Sequence, residues 1–518
     1  MDSFATLMET MNGIVWGPFM IVLLVGTGLY LTIRLRFVQL RYLDHGVKCV
    51  SGAFDEPDEA GDISHYQALA AALSATIGTG NIAGVATAIA LGGPGAVCWM
   101  WVTAIVGMAT KFASCSLAMR FRVIHDDGSA SGGPMYFLAR GLGQRWLAVL
   151  FALFAGLASF GIGCAVQSNS VVDALMNLVP ESMWGPRIAH TVPIVGGTLI
   201  VKPVIGIVLA ALVGIVIIGG IRRIAQVASR IVPLMCVLYI AGAAVILVRF
   251  APALPAALAQ IFRFAFTPLA VGGGFAGVVI QRTMQKGVAR GVFSNESGLG
   301  SAPMAHAAAK THEMVREGFV AMLGPFIDTI IVCTMTALVI VVTGAWQVHG
   351  ADGTVLYGPE GSGLPMRVEI HGKGVQVVGT IDEPPVPFRD ENGNYYVVPT
   401  GASLTAQAFE KGIGRLGGLI VAIGIALFAY STMISWSYYG DRCWEYLLGP
   451  RAVIPYRCVF CAFVVIGTMS GLNLVWTIAD NLNALMAIPN LIGLLGLAGL
   501  VAHETRDYLG RMDEADLL

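Results

Sequence analysis

The chain has 518 residues, of which 56% are hydrophobic and 12% charged, and its Lys and Arg nearly balance its Asp and Glu to leave a net charge of -1. Soluble domains carry about 25% charged residues, so the composition excludes an ordinary soluble globular protein and places the chain in a bilayer. A balanced charge points to no nucleic-acid partner.

Apolar runs of about 20 residues predict eleven spans, near 12–33, 66–92, 95–119, 147–175, 200–220, 231–249, 268–292, 319–343, 413–437, 454–475 and 478–501. Asp2 and Glu9 precede the first run and no basic residue does, which suits a retained helix better than a signal peptide. With the N-terminus outside, the cytoplasmic links hold most of the basic residues. They include Arg34, Arg36, Arg41, Lys48, Arg120, Arg122, Arg140, Arg145, Arg222, Arg223 and Arg230, then Arg282, Lys286 and Arg290 toward the end of the seventh span and Lys310 and Arg316 after it. Arg442, Arg451, Arg457, Arg506 and Arg511 complete this bias, which orients the chain with a cytoplasmic C-terminus. Lys111 is the exception, a cation within a span.

The second span contains SATIGTGNIAG. Glycine at 78 and 80 allows the helix to unwind there. Unpaired backbone costs several kcal/mol per group in hydrocarbon, so irregular backbone persists where it lines a polar site. Unwinding exposes amides suited to an anion at the start of one half-helix and carbonyls suited to a hard cation at the end of the other. Close packing explains Gly84 and Ala88 at small-xxx-small spacing, but it does not call for Asn81. The GxGxxxG spacing lacks the βαβ setting of a dinucleotide site.

Gln167 and Asn169 interrupt the fourth span in GCAVQSNSVV, and Ser431 and Thr432 interrupt the ninth in LFAYSTMISW. Such hydroxyls usually bond back to their own helix. Facing the carbonyls of a broken helix, they would form a neutral oxygen cage fit for an alkali cation. The seventh span carries a second glycine interruption, AVGGGFAGVVI. If residues 1–33 form an extra N-terminal helix, ten spans divide into repeats at 66–250 and 268–501 with opposed orientation, each opening on a glycine break. That pattern points to an inverted-repeat transporter.

An insertion at 344–412 interrupts the second repeat. Its VEIHGKGVQVVGTI and ENGNYYVV read as hairpins, making a small extracellular β-rich cap or, alternatively, a substrate-capturing lid. Residues 502–518 form a cytoplasmic tail. Asp328 is an intramembrane acid and a functional candidate; proton binding is weighed against the favoured reading, pairing with an Arg or capping backbone near the cytoplasmic side. Asp480 reads as interfacial. Asn295 and Glu296 read as an inner loop tied to Arg290 or a neighbouring helix and engaged in inner gating. His306, His312 and Glu313 lie on different helical faces and make a poor metal site. Cys458 and Cys461 have CxxC spacing in apolar sequence with no second pair, and read as small core residues.

Three long motifs carry a resemblance: IGTGNIAGVATAIALGGPGAVCWMW (77–101), KGVARGVFSNESGLGSAPMAHAAAKT (286–311) and STMISWSYYGDRCWEYLLG (431–449). In this order and at these places they resemble the alanine/glycine:cation symporter family, the sodium:alanine symporters, over nearly the whole chain. The resemblance implies an all-α polytopic fold with the five-plus-five inverted repeat of leucine-type sodium symporters and one extra N-terminal helix. It implies sodium-coupled uptake of small neutral amino acids (alanine, glycine and, as a further candidate, serine) across a bacterial or archaeal plasma membrane. Sodium is the implied coupling ion, with no organic cofactor and no obligate protein partner.

Residue by residue, the Thr79 and Gly80 amides would bind the substrate carboxylate and the Thr76 carbonyl its ammonium, with Gly78 and Asn81 in the same break. Gln167, Gly274, Phe275 and Ala276 would line the pocket, Phe275 limiting side-chain size. The carbonyls of Ser74, Ile77 and Phe428 and the hydroxyls of Ser431 and Thr432 would hold sodium. The sequence departs from the family pattern in its insertion and in Gly440-Asp441, where Gly-Glu is expected. A proton-coupled transporter of another small zwitterion is the alternative. A channel lacks a polar pore here, and an enzyme lacks a nucleophile with its base.

Overall fold

The computed structural model describes residues 2–55, 59–126, 128–178, 191–194, 197–266, 276–349, 355–357, 366–371, 374–380, 388–389, 395–396, 400–470 and 472–515. The fold is helical. Helices α1 (Asp2–Val15) and α2 (Pro18–Arg34) meet at 41° around Gly17-Pro18, where proline opens α2. Two short helices, α3 (Val38–Arg41) and α4 (Leu43–Val50), lead to α5 (His65–Thr76). Helix α5 starts on a capping box in which Ser64 and Gln67 satisfy each other's backbone amides. It then breaks and resumes as a π-turn, Gly80–Gly84, and α6 (Val85–Gly92), bent by 52° from α5.

Helix α7 (Ala96–Phe121) follows, then α8 (Pro134–Arg140), α9 (Arg145–Phe160), a second π-turn (Gly161–Ala165) and α10 (Val166–Leu178). Next come α11 (Val201–Ile217), α12 (Gly220–Arg249) and α13 (Leu254–Phe266), and then α14 (Ala276–Asn295) and α15 (Ala302–His306). A third π-segment, Phe326–Cys333, joins α16 (Met314–Pro325) to α17 (Thr334–Val342). The chain ends in α18 (Gly401–Ile413), α19 (Arg415–Leu448), α20 (Val453–Met469) and α21 (Leu472–Ala515).

Among the described residues, seven helices are long and apolar enough to cross a membrane, or up to nine if each of two bent pairs is one span. The outer faces of α11 and α12 expose Ile207, Ile215, Leu234, Val237, Val245 and Val248. Such a continuous apolar exterior suits lipid and not water. Polar side chains are turned inward instead, with Asn81, Lys111, Asn295 and Asp328 all buried.

Strands are short antiparallel pairs: β1 (Val123–Ile124) with β2 (Ala130–Ser131), and β3 (Thr191–Ile194) with β4 (Gly197–Ile200). Within the 344–412 insertion, β5 (Val348–His349) pairs with β6 (Val355–Tyr357), β7 (Met366–His371) with β8 (Gly374–Thr380), and β9 (Phe388–Arg389) with β10 (Tyr395–Tyr396).

The glycine break expected at 272–274 lies outside the described residues. Helix α14 runs from Ala276 through Asn295, and it ends in an irregular turn that precedes α15, which the sequence reading took as an inner loop at Asn295-Glu296. Glu296, Gly298 and Gly300 all take positive φ there (55°, 88° and 90°). A side chain at Gly300 would meet Phe151 Cε2 at 2.7 Å, so glycine is required for both conformation and room. Residues 267–275 lie outside the described ones.

Candidate functional site

The first break begins where α5 stops at Ile77, whose ψ of 86° is not helical. The Gly78 amide is taken by the Asn81 side-chain oxygen at 2.9 Å, and the Asn81 amide reaches the Gly78 carbonyl at 3.3 Å. Asn81 thus folds the break back on itself. A Cβ at Gly78 would lie 2.6 Å from Thr432 Oγ1, and one at Gly80 would lie 3.2 Å from Ser294 Cα. Both glycines are therefore sites of close approach, to α19 and to the end of α14.

Across the break, α19 supplies the hydroxyl pair. Thr432 Oγ1 donates to the Ser74 carbonyl at 3.1 Å; Ser431 Oγ lies 3.3 Å from the same carbonyl and 2.9 Å from the Phe428 carbonyl. Ser74 Oγ in turn donates to the Ser431 carbonyl at 2.7 Å. Ser74, Phe428, Ser431 and Thr432 are thus brought together as neutral oxygens, with Ile77 one turn after Ser74. Thr76 hydrogen-bonds back to Ala72 and Leu73 through its hydroxyl. Oxygens at this spacing, with no carboxylate among them, suit a weakly charged alkali ion.

Gln167 stands on the opposite side, next to the second π-turn. Its Nε2 holds the Ile162 carbonyl at 2.9 Å, and its Oε1 is 3.5 Å from the Thr79 amide. Thr79 Oγ1 is buried and has no hydrogen-bond partner among the described residues. Asn169 turns away and binds the Gly467 and Ser470 carbonyls. Gly274 and Phe275 lie outside the described residues; Ala276 begins α14, and its side chain is also outside them.

Behind the break sits Asp328, in the third π-segment. Asn81 Nδ2 donates to its Oδ1 at 2.6 Å, while Ser294 and Thr329 hydroxyls donate to its Oδ2 at 2.9 and 2.7 Å. The favoured expectation for Asp328 was an Arg partner or a backbone cap near the cytoplasmic side. The structure puts it against the break instead, held by three neutral donors. Asn295 Nδ2 reaches Thr329 Oγ1 at 3.2 Å, and Glu296 accepts from Ser301 at 2.6 Å and from the Trp436 indole at 2.8 Å. Both are buried beside the site, and of the two expected anchors, Arg290 or a neighbouring helix, Glu296 takes the helix, α19, through Trp436. π-Segments cluster at functional positions in helices, and here all three carry or adjoin Asn81, Gln167 or Asp328.

Toward one end of the molecule Arg290 and Asp480 form a part-buried ion pair between α14 and α21. The guanidinium also lies over the rings of Phe293 and Trp476, at 5.3 and 5.2 Å, and Trp16, at the bend between α1 and α2, donates to the Asp480 carbonyl at 3.0 Å. Arg290 and Asp480, which the sequence reading put at opposite ends of the molecule, therefore lie at the same end. At the other end, His306 joins Glu317 on α16, and the His312 amide donates to Glu59 at 3.1 Å. Lys111, on α7, is wholly buried, with no hydrogen-bond partner for its Nζ among the described residues and with Glu296 and Asp328 within electrostatic reach.

A multi-pass membrane protein whose central helix unwinds onto facing hydroxyls has the architecture of a secondary transporter. Comparison with known proteins narrows this class. The sodium:alanine symporter family model matches residues 1–358 and 392–516. The chain belongs to that family. It is 44% identical over 510 residues to the sodium/alanine symporter AgcS of Methanococcus maripaludis, covering 98% of this chain and 97% of that one. It is 42% identical over 511 residues to an uncharacterized transporter of Haemophilus influenzae, covering 98% and 96%. A probable sodium/glutamine symporter of Bacillus subtilis is 34% identical over 500 residues, covering 96% and 89%. The stretch that the family model leaves unmatched, 359–391, lies inside the insertion. By class the chain is a sodium-coupled amino acid symporter of a prokaryotic membrane.

Proposed function

We propose that this protein takes up alanine and glycine, with serine a further candidate, together with sodium by alternating access. The observation that carries this reading is the Ser74 carbonyl, freed near the end of α5 and met by the hydroxyls of both Ser431 and Thr432. Sodium binds between that carbonyl, those of Ile77 and Phe428, and the two hydroxyls. The zwitterion binds next to it, its carboxylate on the Thr79 and Gly80 amides and its ammonium on the Thr76 carbonyl. Gln167, Gly274, Phe275 and Ala276 line the pocket, and Phe275 sets the size limit. Asn81, with Gly78, shapes the break, and Asp328 pins Asn81.

Eleven spans in a five-plus-five arrangement behind an extra N-terminal helix suit this cycle. The Arg122, Arg222 and Arg442 end then faces the cytoplasm and the Arg290–Asp480 end faces outward. The 344–412 insertion is a cap on the outer side. Each ligand tightens the other's binding by the same factor, because both favour the same ordered break. One sodium with a zwitterion carries a single positive charge, so the membrane potential contributes about 2.3 kcal/mol per 100 mV.

Uptake of radiolabelled alanine into proteoliposomes, with sodium and proton gradients imposed separately, tests the reading. Accumulation with a sodium gradient alone supports it. Accumulation that needs only a proton gradient favours a proton-coupled carrier and overturns the ion assignment.

A further inference from the structure

At the end of the molecule opposite Arg290 and Asp480, one carboxylate clasps two helices. Glu317, in the first turn of α16, faces His65, the first residue of α5, through Oε2, and His306, the last residue of α15, through Oε1. In both imidazoles Nδ1 makes the contact, and the three side chains are at most 1% exposed. The segments that flank the clasp are joined as well. Ile63 and Ala309 form a parallel bridge, and the Arg122 guanidinium binds the carbonyls of Ala60, Ala307, Ala309 and Thr311. Helices α5 and α15 are the half-helices that run from the two breaks toward this end. The clasp thus ties both to α16.

We propose that the His65–Glu317–His306 triad is a proton-binding clasp that holds this end of the transporter closed and makes its opening depend on pH. With both imidazoles neutral the triad carries one buried negative charge. The neighbouring cations are already engaged: Arg316 binds Glu59 at 3.1 Å, and Arg122 is spread over four carbonyls. The other titratable groups facing the triad are Asp55, whose carboxylate is 3.8 Å from His65 Nε2, and the thiols of Cys49 and Cys115. None of these supplies a positive charge. A buried unpaired ion costs several kcal/mol, so one proton on the triad favours the closed form. The Nε2 atoms of both histidines are buried without hydrogen-bond partners among the described residues, and that of His65 points toward Asp55. When α5 and α15 part from α16, water reaches the imidazoles, and a solvated histidine gives up its proton near pH 6.5. Closure therefore takes up a proton. The stabilisation of the closed form is complete below the open-state histidine value and is lost as pH rises through the closed-state value.

This rests on the symport reading, in which the clasp faces the cytoplasm. The test uses the full chain inserted right-side out in vesicles, with external sodium, alanine and pH held fixed. Initial uptake by the wild type should be about three- to tenfold faster with the lumen at about pH 8 than at about pH 6. The double variant His65→Asn/His306→Asn keeps an N–H donor for each Glu317 oxygen but cannot titrate; its uptake should be flat across that range. Should that variant not reach the membrane, Ala308→Cys in a Cys458→Ser background, which removes the exposed native thiol, reports opening directly. Its labelling by a maleimide trapped in the lumen should rise with lumen pH. Wild-type uptake or labelling that ignores lumen pH, or a double variant with the wild-type profile, would overturn the clasp while leaving sodium-driven uptake intact. Absence of sodium-driven uptake at every pH would strike the symport reading instead.

Discussion

The two irregular turns at the centre of the molecule differ in how far their backbone is satisfied. At the second, between α14 and α15, the carboxylate and much of the backbone are satisfied, although the Ser297 hydroxyl is buried without a partner among the described residues. Glu296 accepts from Ser301 and Trp436, the Ser297 amide is taken by Asn295 Oδ1 at 2.9 Å, and Asn490 donates to the Gly298 carbonyl at 2.8 Å. At the first, the Thr79 amide has only a long contact with Gln167, and the Thr79 hydroxyl has no partner among the described residues. Buried polar groups left without partners are costly, so a turn that stays under-satisfied is one that a ligand completes. Each turn leaves one hydroxyl unpartnered, so what sets the first apart is its backbone: the Thr79 amide has only the long Gln167 contact, whereas the Ser297 amide and Gly298 carbonyl are held.

The largest effect that separates them is expected at Gly78. Gly78→Val puts atoms where Thr432 Oγ1 sits 2.6 Å from a single added Cβ, so uptake should fall by about 100-fold or more at normal membrane abundance. Near-normal transport would mean that the first turn merely packs. Asp328→Ala comes next. It leaves Asn81, Ser294 and Thr329 without their acceptor, each loss worth about 1–3 kcal/mol, and uptake should drop by about 100-fold. Asp328→Asn should recover part of it, as measured by initial rates.

Thr432→Ala sharpens the comparison. Loss of one hydroxyl ligand, about 1–1.5 kcal/mol, should raise the sodium concentration for half-maximal uptake by about tenfold. Glu296→Gln, at the second turn, should leave that concentration within about twofold. Equal shifts in the two variants would erase the distinction between site and scaffold. The smallest effect is expected from deleting 347–399, which should change alanine affinity by no more than about twofold if the insertion is a cap. A larger loss favours a lid.

The first turn was legible in the sequence because Gly78, Gly80 and Asn81 interrupt an apolar run that gives them no packing reason to be there. Ser431 and Thr432 were legible for the same reason. The second turn was not. Its residues, Ser294 to Ser301, include a carboxylate and three serines, and hydropathy reads such a stretch as a link between spans. What keeps it inside is a set of partners far along the chain: Trp436 and Asn490 for the backbone and Glu296, with Asp328 beside Ser294. Arg290 and Asp480 were read at opposite ends for a related reason, since counting basic residues in links cannot foresee that the two pair across 190 positions. Asp328 stood out as an intramembrane acid, yet nothing local indicated that Asn81 would be its partner. Polar residues in lipid are conspicuous in sequence; the groups that neutralise them are set by the fold.

The central claim is that sodium and the amino acid share the first break. It is tested most directly by measuring alanine affinity of the purified protein with and without sodium, and sodium affinity with and without alanine. The account predicts that each ligand strengthens the other by the same factor, about tenfold or more, and that Thr432→Ala abolishes both gains. Alanine binding of equal strength in the absence of sodium would contradict it.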